Sequence, residues 1–331
     1  MDRHFLLLAG LLASGLPAAA QLTNSLVWPS PPAAPRIAFV QSLSGPRDFG
    51  IQSAWWTRLA NLVTGESHQD ELVKPFGVGI ADTGEVLITD TGRNRAYMLD
   101  RIRHRRSRWE KIGPYRLNSP VAIAQFRNIV YVADSELRVV LGFDSQGNLR
   151  MAITNGLERP AGLAIADEKL FVADAGKHQI AVFDLQGQRI TQFGQRGTAP
   201  GAFNFPTHLA VDDAGNLFVT DSMNGRVQVL DRQTGQARGV IGRLGDGSGQ
   251  FSKPKGLAVD KAGHVYVADA AFDNIQIFDQ AGHFLLAFGG LGAQPGEFWL
   301  PAGVAIDRED RIYVADSYNR RVQIFQYVGS Q

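Results

Sequence analysis

The chain has 331 residues, 44% hydrophobic and 20% charged, which describes a globular protein with a substantial core: two ordinary domains or one large all-β unit. Thirty-three Lys plus Arg against 32 Asp plus Glu leave a net charge of +1, so no global field draws the chain toward nucleic acid. The lack of cysteine excludes disulfides, thiol nucleophiles, thiolate zinc sites, iron–sulfur clusters and lipidation at cysteine, and the 36 glycines favour turns over long helices.

Residues 1–20 read as a signal peptide. Arg3 is followed by the apolar run Phe5 to Leu16 and by Ala18-Ala19-Ala20, small residues that a signal peptidase cuts after. The run is too short to span a bilayer, and no later segment reaches about 18 uninterrupted apolar residues. The expected mature chain starts near Gln21, without a transmembrane segment, exported to a periplasm or beyond the cell. Residues 21–35 form a Pro-rich linker around Trp28-Pro29-Ser30-Pro31-Pro32, a spacer or a strap along the surface. Residues 36–49 carry a strand, Arg36-Ile-Ala-Phe-Val-Gln41. Residues 50–73 carry a helical insertion that places Trp55, Leu59 and Leu62 on one face, with Ser53 as N-cap.

From residue 74 the sequence repeats. Six units open at Pro75, Pro120, Pro160, Pro206, Pro254 and Pro301, each followed by an apolar run. Each then reaches a turn and a second apolar run ending in Asp90, Asp134, Asp174, Asp221, Asp269 or Asp316. Third runs such as Arg226-Val-Gln-Val-Leu-Asp231 and fourth runs such as His283-Phe-Leu-Leu-Ala-Phe288 close the units. Period-2 alternation between Gly, Asp and Asn means four short antiparallel strands per unit, and units of about 40–50 residues with four strands are propeller blades. The expected fold is an all-β, six-bladed β-propeller over residues 74–331. After Phe325 the chain holds too few residues for the sixth blade's outer strand, so the N-terminal strand in 36–49 is expected to close the ring.

These units resemble the NHL repeat, with Pro-x-Gly-[Val/Leu]-Ala, [Tyr/Phe]-Val-[Ala/Thr]-Asp and Arg-[Val/Ile]-Gln-[Val/Ile]-Phe segments. Pro301 to Phe325 matches almost throughout, while the second unit departs most, with Ala122 at the glycine position. The resemblance covers about three-quarters of the chain. It implies the propeller fold but says little about activity, because the fold hosts scaffolds, RNA binders, lyases and lactonases.

Candidate chemistry is sparse. The six aspartates can line a channel or, on the structural reading, accept turn N–H groups, with Arg95, Arg138, Arg226 and Arg321 as ion-pair partners. Of seven histidines only His208 replaces a repeat glycine, where an innermost strand begins. Propeller lyases of the peptide-amidating type hold zinc with several histidines; here the equivalent positions are Gly77, Ala122, Gly162, Gly256 and Gly303. No catalytic residue, metal or cofactor is assigned. Residues 93–116 hold eight arginines and one lysine against Asp100 and Glu110, densest at Arg101, Arg103, His104, Arg105, Arg106 and Arg108 in the first blade's outer hairpin. That patch is either a solvated hairpin or a dock for an acidic partner; export argues against nucleic acid.

The face carrying the strand 2–3 loops and the blade-to-blade loops holds large side chains around the expected channel mouth. They are Phe205, His208, Met223, Phe272, Trp299 and Tyr318, a candidate binding face for an unknown protein or ligand. The expectation is an exported, monomeric, non-enzymatic scaffold or assembly factor. The alternative is a propeller lyase or hydrolase with a channel-bound metal, which would need two more His or carboxylate groups converging on His208.

Overall fold

The structure, a computed structural model, describes residues 26–49 and 71–329. The expected signal peptide and residues 50–70 of the expected helical insertion lie outside them, and residues 71–73 form no helix. Among the described residues no helix is long and apolar enough to cross a membrane.

The described chain forms six antiparallel blades set around a channel. Innermost strands open at the six repeat prolines: Pro75–Ile80, Pro120–Phe126, Pro160–Ala166, Pro206–Val211, Pro254–Val259 and Pro301–Ile306. Each pairs with a second strand ending in the repeat aspartate, which pairs in turn with a third. In blades 1 to 5 a fourth strand follows in sequence; in blade 6 it comes from the N-terminus. Ile37–Leu43 pairs antiparallel with Arg321–Tyr327, from Ile37 opposite Tyr327 to Leu43 opposite Val322. Residues 26–35 continue onto this blade, Val27–Trp28 adding a fifth strand and the Trp28 ring packing 5.8 Å from Phe325 and 5.9 Å from Phe288.

The core lies between blades. Second strands such as Val86–Asp90 are buried on both faces, which is why they read as continuous Val, Leu, Ile and Ala rather than as alternation. Six apolar clusters fill the six seams, for example Leu87, Ala96 and Trp109 of blade 1 against Ile123, Val132 and Phe143 of blade 2. The last seam joins Tyr313, Val322 and Ile324 of blade 6 to Val78, Ile88 and Tyr97 of blade 1.

Two sequence signatures have structural causes here. A Cβ on Gly256 would lie 2.1 Å from the Ala302 carbonyl oxygen, and one on Gly162 would lie 2.2 Å from that of Thr207. The repeat glycine therefore lets the next blade's inner strand approach the channel wall. The hydroxyls after the aspartates stitch blade to blade: Ser135, Ser222 and Ser317 donate to the carbonyls of Pro160, Pro254 and Pro75 at 2.6, 2.8 and 2.6 Å.

Candidate functional site

The six repeat aspartates are fully buried and act as loop anchors. Asp269 accepts backbone N–H bonds from Ser252, Lys253 and Ala271, and Asp174 accepts them from Glu158, Arg159 and Lys177. The arginine pairing expected from sequence occurs at two of four positions. Arg226 and Arg321 reach Asp221 and Asp316 at 2.8 and 2.7 Å. Arg95 instead pairs with Glu110 at 2.9 Å, and Arg138 is exposed, in a left-handed turn conformation (φ 58°). Desolvation pushes the Asp316 carboxyl above its usual range, against the pull of the Trp299 N–H, Asn319 and Arg321.

The channel itself is narrow and mostly apolar. A cavity of about 50 Å³ is lined by Gly77, Ala122, Gly162 and Gly303, by Val and Leu side chains, and by His208. Among the described residues His208 is the one imidazole on this wall, and no carboxylate lines it. No group of three or more His, Asp or Glu side chains is placed to hold a metal among the described residues. The donor set for a channel-bound zinc is therefore not built there.

His208 as a whole is half-buried, yet both ring nitrogens are shut off from solvent and lack a hydrogen-bond partner. Its ring stacks 6.1 Å from Phe76. Burial, with a smaller contribution from the Lys255 charge, lowers its pKa to about 3, so the imidazole stays neutral in the folded protein. The unfolded chain takes up that proton near pH 6.5, so it binds more protons than the folded one between about pH 3 and 6.5, and stability falls as pH drops through that window. At pH 5 the penalty is about 2 kcal/mol. His208→Gly, the residue most blades hold here, is expected to remove this loss. Melting curves of both proteins should diverge from pH 7 to pH 5; parallel curves would show that the imidazole protonates freely in the fold.

Around His208 the mouth carries residues that sequence reasoning missed. Lys255 places its Nζ 5.4 Å from the Phe76 ring centroid, and Lys74 lies 5.0 Å from that of Tyr318. Burial, then the charges of Lys253 and Lys74, lower the Lys255 pKa to about 8. The overlooked signal was the residue between the repeat proline and glycine: Phe76, Val121, Ala161, Thr207, Lys255 and Ala302. Those residues occupy corresponding positions at the start of the six inner strands.

The six residues proposed from sequence as a binding face do not all meet. Trp299 and Tyr318 do: both are exposed, their rings lie 5.4 Å apart, and the Tyr318 N–H donates to the Trp299 carbonyl. Phe205 sits at a blade seam, its N–H on His178 Nδ1 at 3.2 Å and its ring edge-on to His178. Met223 is exposed on blade 4, Phe272 is half-buried on blade 5, and no ring contact joins Phe272 to the others among the described residues.

The basic hairpin lies toward the opposite end of the blades. Arg101 donates to the Tyr313 hydroxyl at 3.2 Å and Arg103 pairs with Asp100 at 3.3 Å, so part of its charge is used internally. His104, Arg105, Arg106 and Arg108 are exposed. Ile102 and Arg103 border a depression of about 670 Å³ with the first hairpin turns of blades 1, 5 and 6. There Asp260 accepts from Tyr266 at 3.1 Å, and Asp307 from Arg311 and Tyr313 at 2.6 and 2.9 Å.

Six four-stranded blades around a channel define a six-bladed β-propeller. The NHL repeat model matches residues 203–230, 251–278 and 298–325, which cover most of the last three blades. The chain is a six-bladed propeller whose last three blades carry NHL repeats. It is 44% identical to human NHL repeat-containing protein 3 (Homo sapiens) over 46 residues, which is 14% of this chain and 13% of that protein; the mouse protein (Mus musculus) matches at 41% over the same length. The match spans about the length of one blade. Solved structures share the fold at low identity. A streptogramin B lyase covers 77% of this chain and 93% of its own, with a TM-score of 0.59 and 11% identity. An auxiliary nutrient binding protein from Bacteroides thetaiotaomicron covers 78% of this chain and 70% of its own, with a TM-score of 0.62 and 12% identity. Hydrazine synthase from Kuenenia stuttgartiensis covers 78% and 97%, at 0.58 and 13%. A fold shared by a lyase and a binding protein does not choose between those roles.

Proposed function

We propose that this protein is an exported, non-enzymatic scaffold that holds a protein or other ligand on the channel-mouth face. One observation carries the reading: the channel wall is built of small and apolar groups with one neutral imidazole, so it offers a surface rather than a set of reacting groups. The exposed Trp299, Tyr318 and Met223 give that face the residue types that gain most on desolvation. Export is supported by the apolar run Phe5 to Leu16 and the small residues after it. The exposed arginines of the outer hairpin supply a second contact suited to an acidic partner.

One capture experiment on periplasmic and secreted fractions tests these parts together. The recovered protein should begin near Gln21. Phe272→Ala and Tyr318→Ala should each weaken partner capture about tenfold or more while leaving the melt nearly unchanged. The triple change Arg103/Arg105/Arg106→Ala should weaken capture chiefly at low salt. Normal capture by both aromatic variants, or unfolding of both, refutes the binding face. Retention of the arginine variant equal to that of the wild type at low salt refutes the second contact, and a chain kept in the cytoplasm with residues 1–20 intact refutes export.

A further inference from the structure

We propose that the channel mouth is a site for a planar organic carboxylate, with Lys74 and Lys255 holding the anion and Phe76, Tyr318 and Trp299 receiving the flat body. This names the ligand class of the face described above and rests on that reading of it.

Two half-buried lysines stand at this mouth without counter-charge. Lys255 lies over Phe76 and Lys74 over Tyr318. Neither has a carboxylate within ion-pair distance among the described residues, while the nearby Asp90, Asp269 and Asp316 are buried and taken up by loop N–H groups and side chains. The lysines are close enough for the Lys74 charge, like that of Lys253, to disfavour a charge on Lys255. Partly buried like charges are costly unless an anion joins them. The fold does not need a lysine at the 255 position, because blades 2, 3 and 6 hold Val121, Ala161 and Ala302 at the equivalent place.

The aromatic groups are arranged around these cations. Phe76 bridges Lys255 to the His208 ring, and Tyr318 bridges Lys74 to Trp299. His208 adds a second cue: two buried ring nitrogens without partners at the channel wall. The channel cavity, about 50 Å³, has no room for an organic ligand, so the ligand sits above it. A carboxylate between two ammonium groups makes charge-assisted hydrogen bonds. A flat apolar body on the carboxylate covers ring faces that are otherwise open to solvent, where Trp299 and Tyr318 are both exposed.

Calorimetric titration with benzoate tests the site, with benzyl alcohol as the uncharged analogue and inorganic phosphate as the anion without a ring. Benzoate should bind the wild-type protein, and Lys74→Met and Lys255→Met should each weaken it about tenfold or more. Benzyl alcohol should bind weaker by a similar factor, and phosphate weaker than benzoate. No benzoate binding, equal binding of benzyl alcohol, or unchanged affinity in both lysine variants overturns the proposal; phosphate matching benzoate overturns the planar body. Should a variant fail to fold, reductive methylation of the wild type decides instead: benzoate should protect Lys255 and Lys74 but not the exposed Lys111, and equal labelling with and without benzoate refutes the site. If benzoate fails while Tyr318→Ala still loses its protein partner, only the ligand class is wrong. If benzoate binds while capture is untouched, the binding face stands as a small-molecule site and its protein-docking role falls.

Discussion

Deleting residues 36–45 is expected to lower the melting temperature by about 10–20 °C, although the deleted segment lies outside the consecutive repeats. Ile37 and Leu43 are fully buried, Ile37 in the seam between blades 5 and 6 and Leu43 in that between blades 6 and 1. Returning two such side chains to water costs about 3–6 kcal/mol. For a domain of this size each kcal/mol shifts the midpoint by about 2 °C, so the two side chains alone account for about 6–12 °C. The deletion also bares the edge of Arg321–Tyr327, whose N–H and C=O groups now pair with Ile37–Leu43, and exposes Phe325 beneath Phe39. Calorimetry on the truncated and full chains checks the figure. A melt that does not move would mean that the ring holds without its N-terminal strand.

That closure was legible in the sequence because each repeat is local and the last one is a strand short. The spacing of Asp90, Asp134, Asp174, Asp221, Asp269 and Asp316 set the blade count, and the missing fourth strand of blade 6 pointed back to residues 36–41. The last three blades read most clearly. There Phe203, Phe251 and Phe298, fully buried, pack against Gly194, Gly242 and Gly289, all at positive φ. Among the described residues the links from blade 1 to 2 and from blade 2 to 3 lack this loop, and the aspartate spacing there is shorter.

The candidate site was less legible because it is assembled by ring closure rather than by neighbours in sequence. Lys74 stands on the entry to blade 1, Tyr318 in blade 6 and Lys255 in blade 5, and only the seams bring them together. His208 was visible as a departure from glycine, but the loss of solvent at both its nitrogens was not. Charge pairing was misjudged for a related reason. Arg95 and Arg226 share a repeat position, yet Glu110, on the chain leaving blade 1, sits within reach of Arg95 and captures it.

Asp316→Ala should cost about 3–5 kcal/mol, more than the same change at Asp174. Both carboxylates are fully buried, but what they hold differs. Asp174 accepts only backbone N–H groups, from Glu158, Arg159 and Lys177, so its loss leaves neutral donors unmet, at about 1–3 kcal/mol. Asp316 accepts from the Trp299 N–H, Asn319 Nδ2, Gln323 Nε2 and Arg321 Nε, and its removal strands a guanidinium that is itself nearly buried. The carbonyls of Ala293, Gln294 and Glu297 still accept from Arg321, which keeps the loss below that of an isolated buried charge. Adding Arg321→Met should therefore restore part of the stability, because the stranded charge leaves with it. The same anchor bears on binding. Asp316 fixes the Trp299 N–H, and the Trp299 carbonyl in turn fixes the Tyr318 N–H. The single variant should therefore loosen the Trp299–Tyr318 pair and weaken partner capture even well below its own melting temperature, whereas Asp174→Ala, on blade 3, should melt earlier but capture normally. Denaturant titration and the capture assay on both variants separate the two effects. Equal stability losses would show that the ion pair contributes nothing beyond its hydrogen bonds, and normal capture by Asp316→Ala would detach this loop from the binding face.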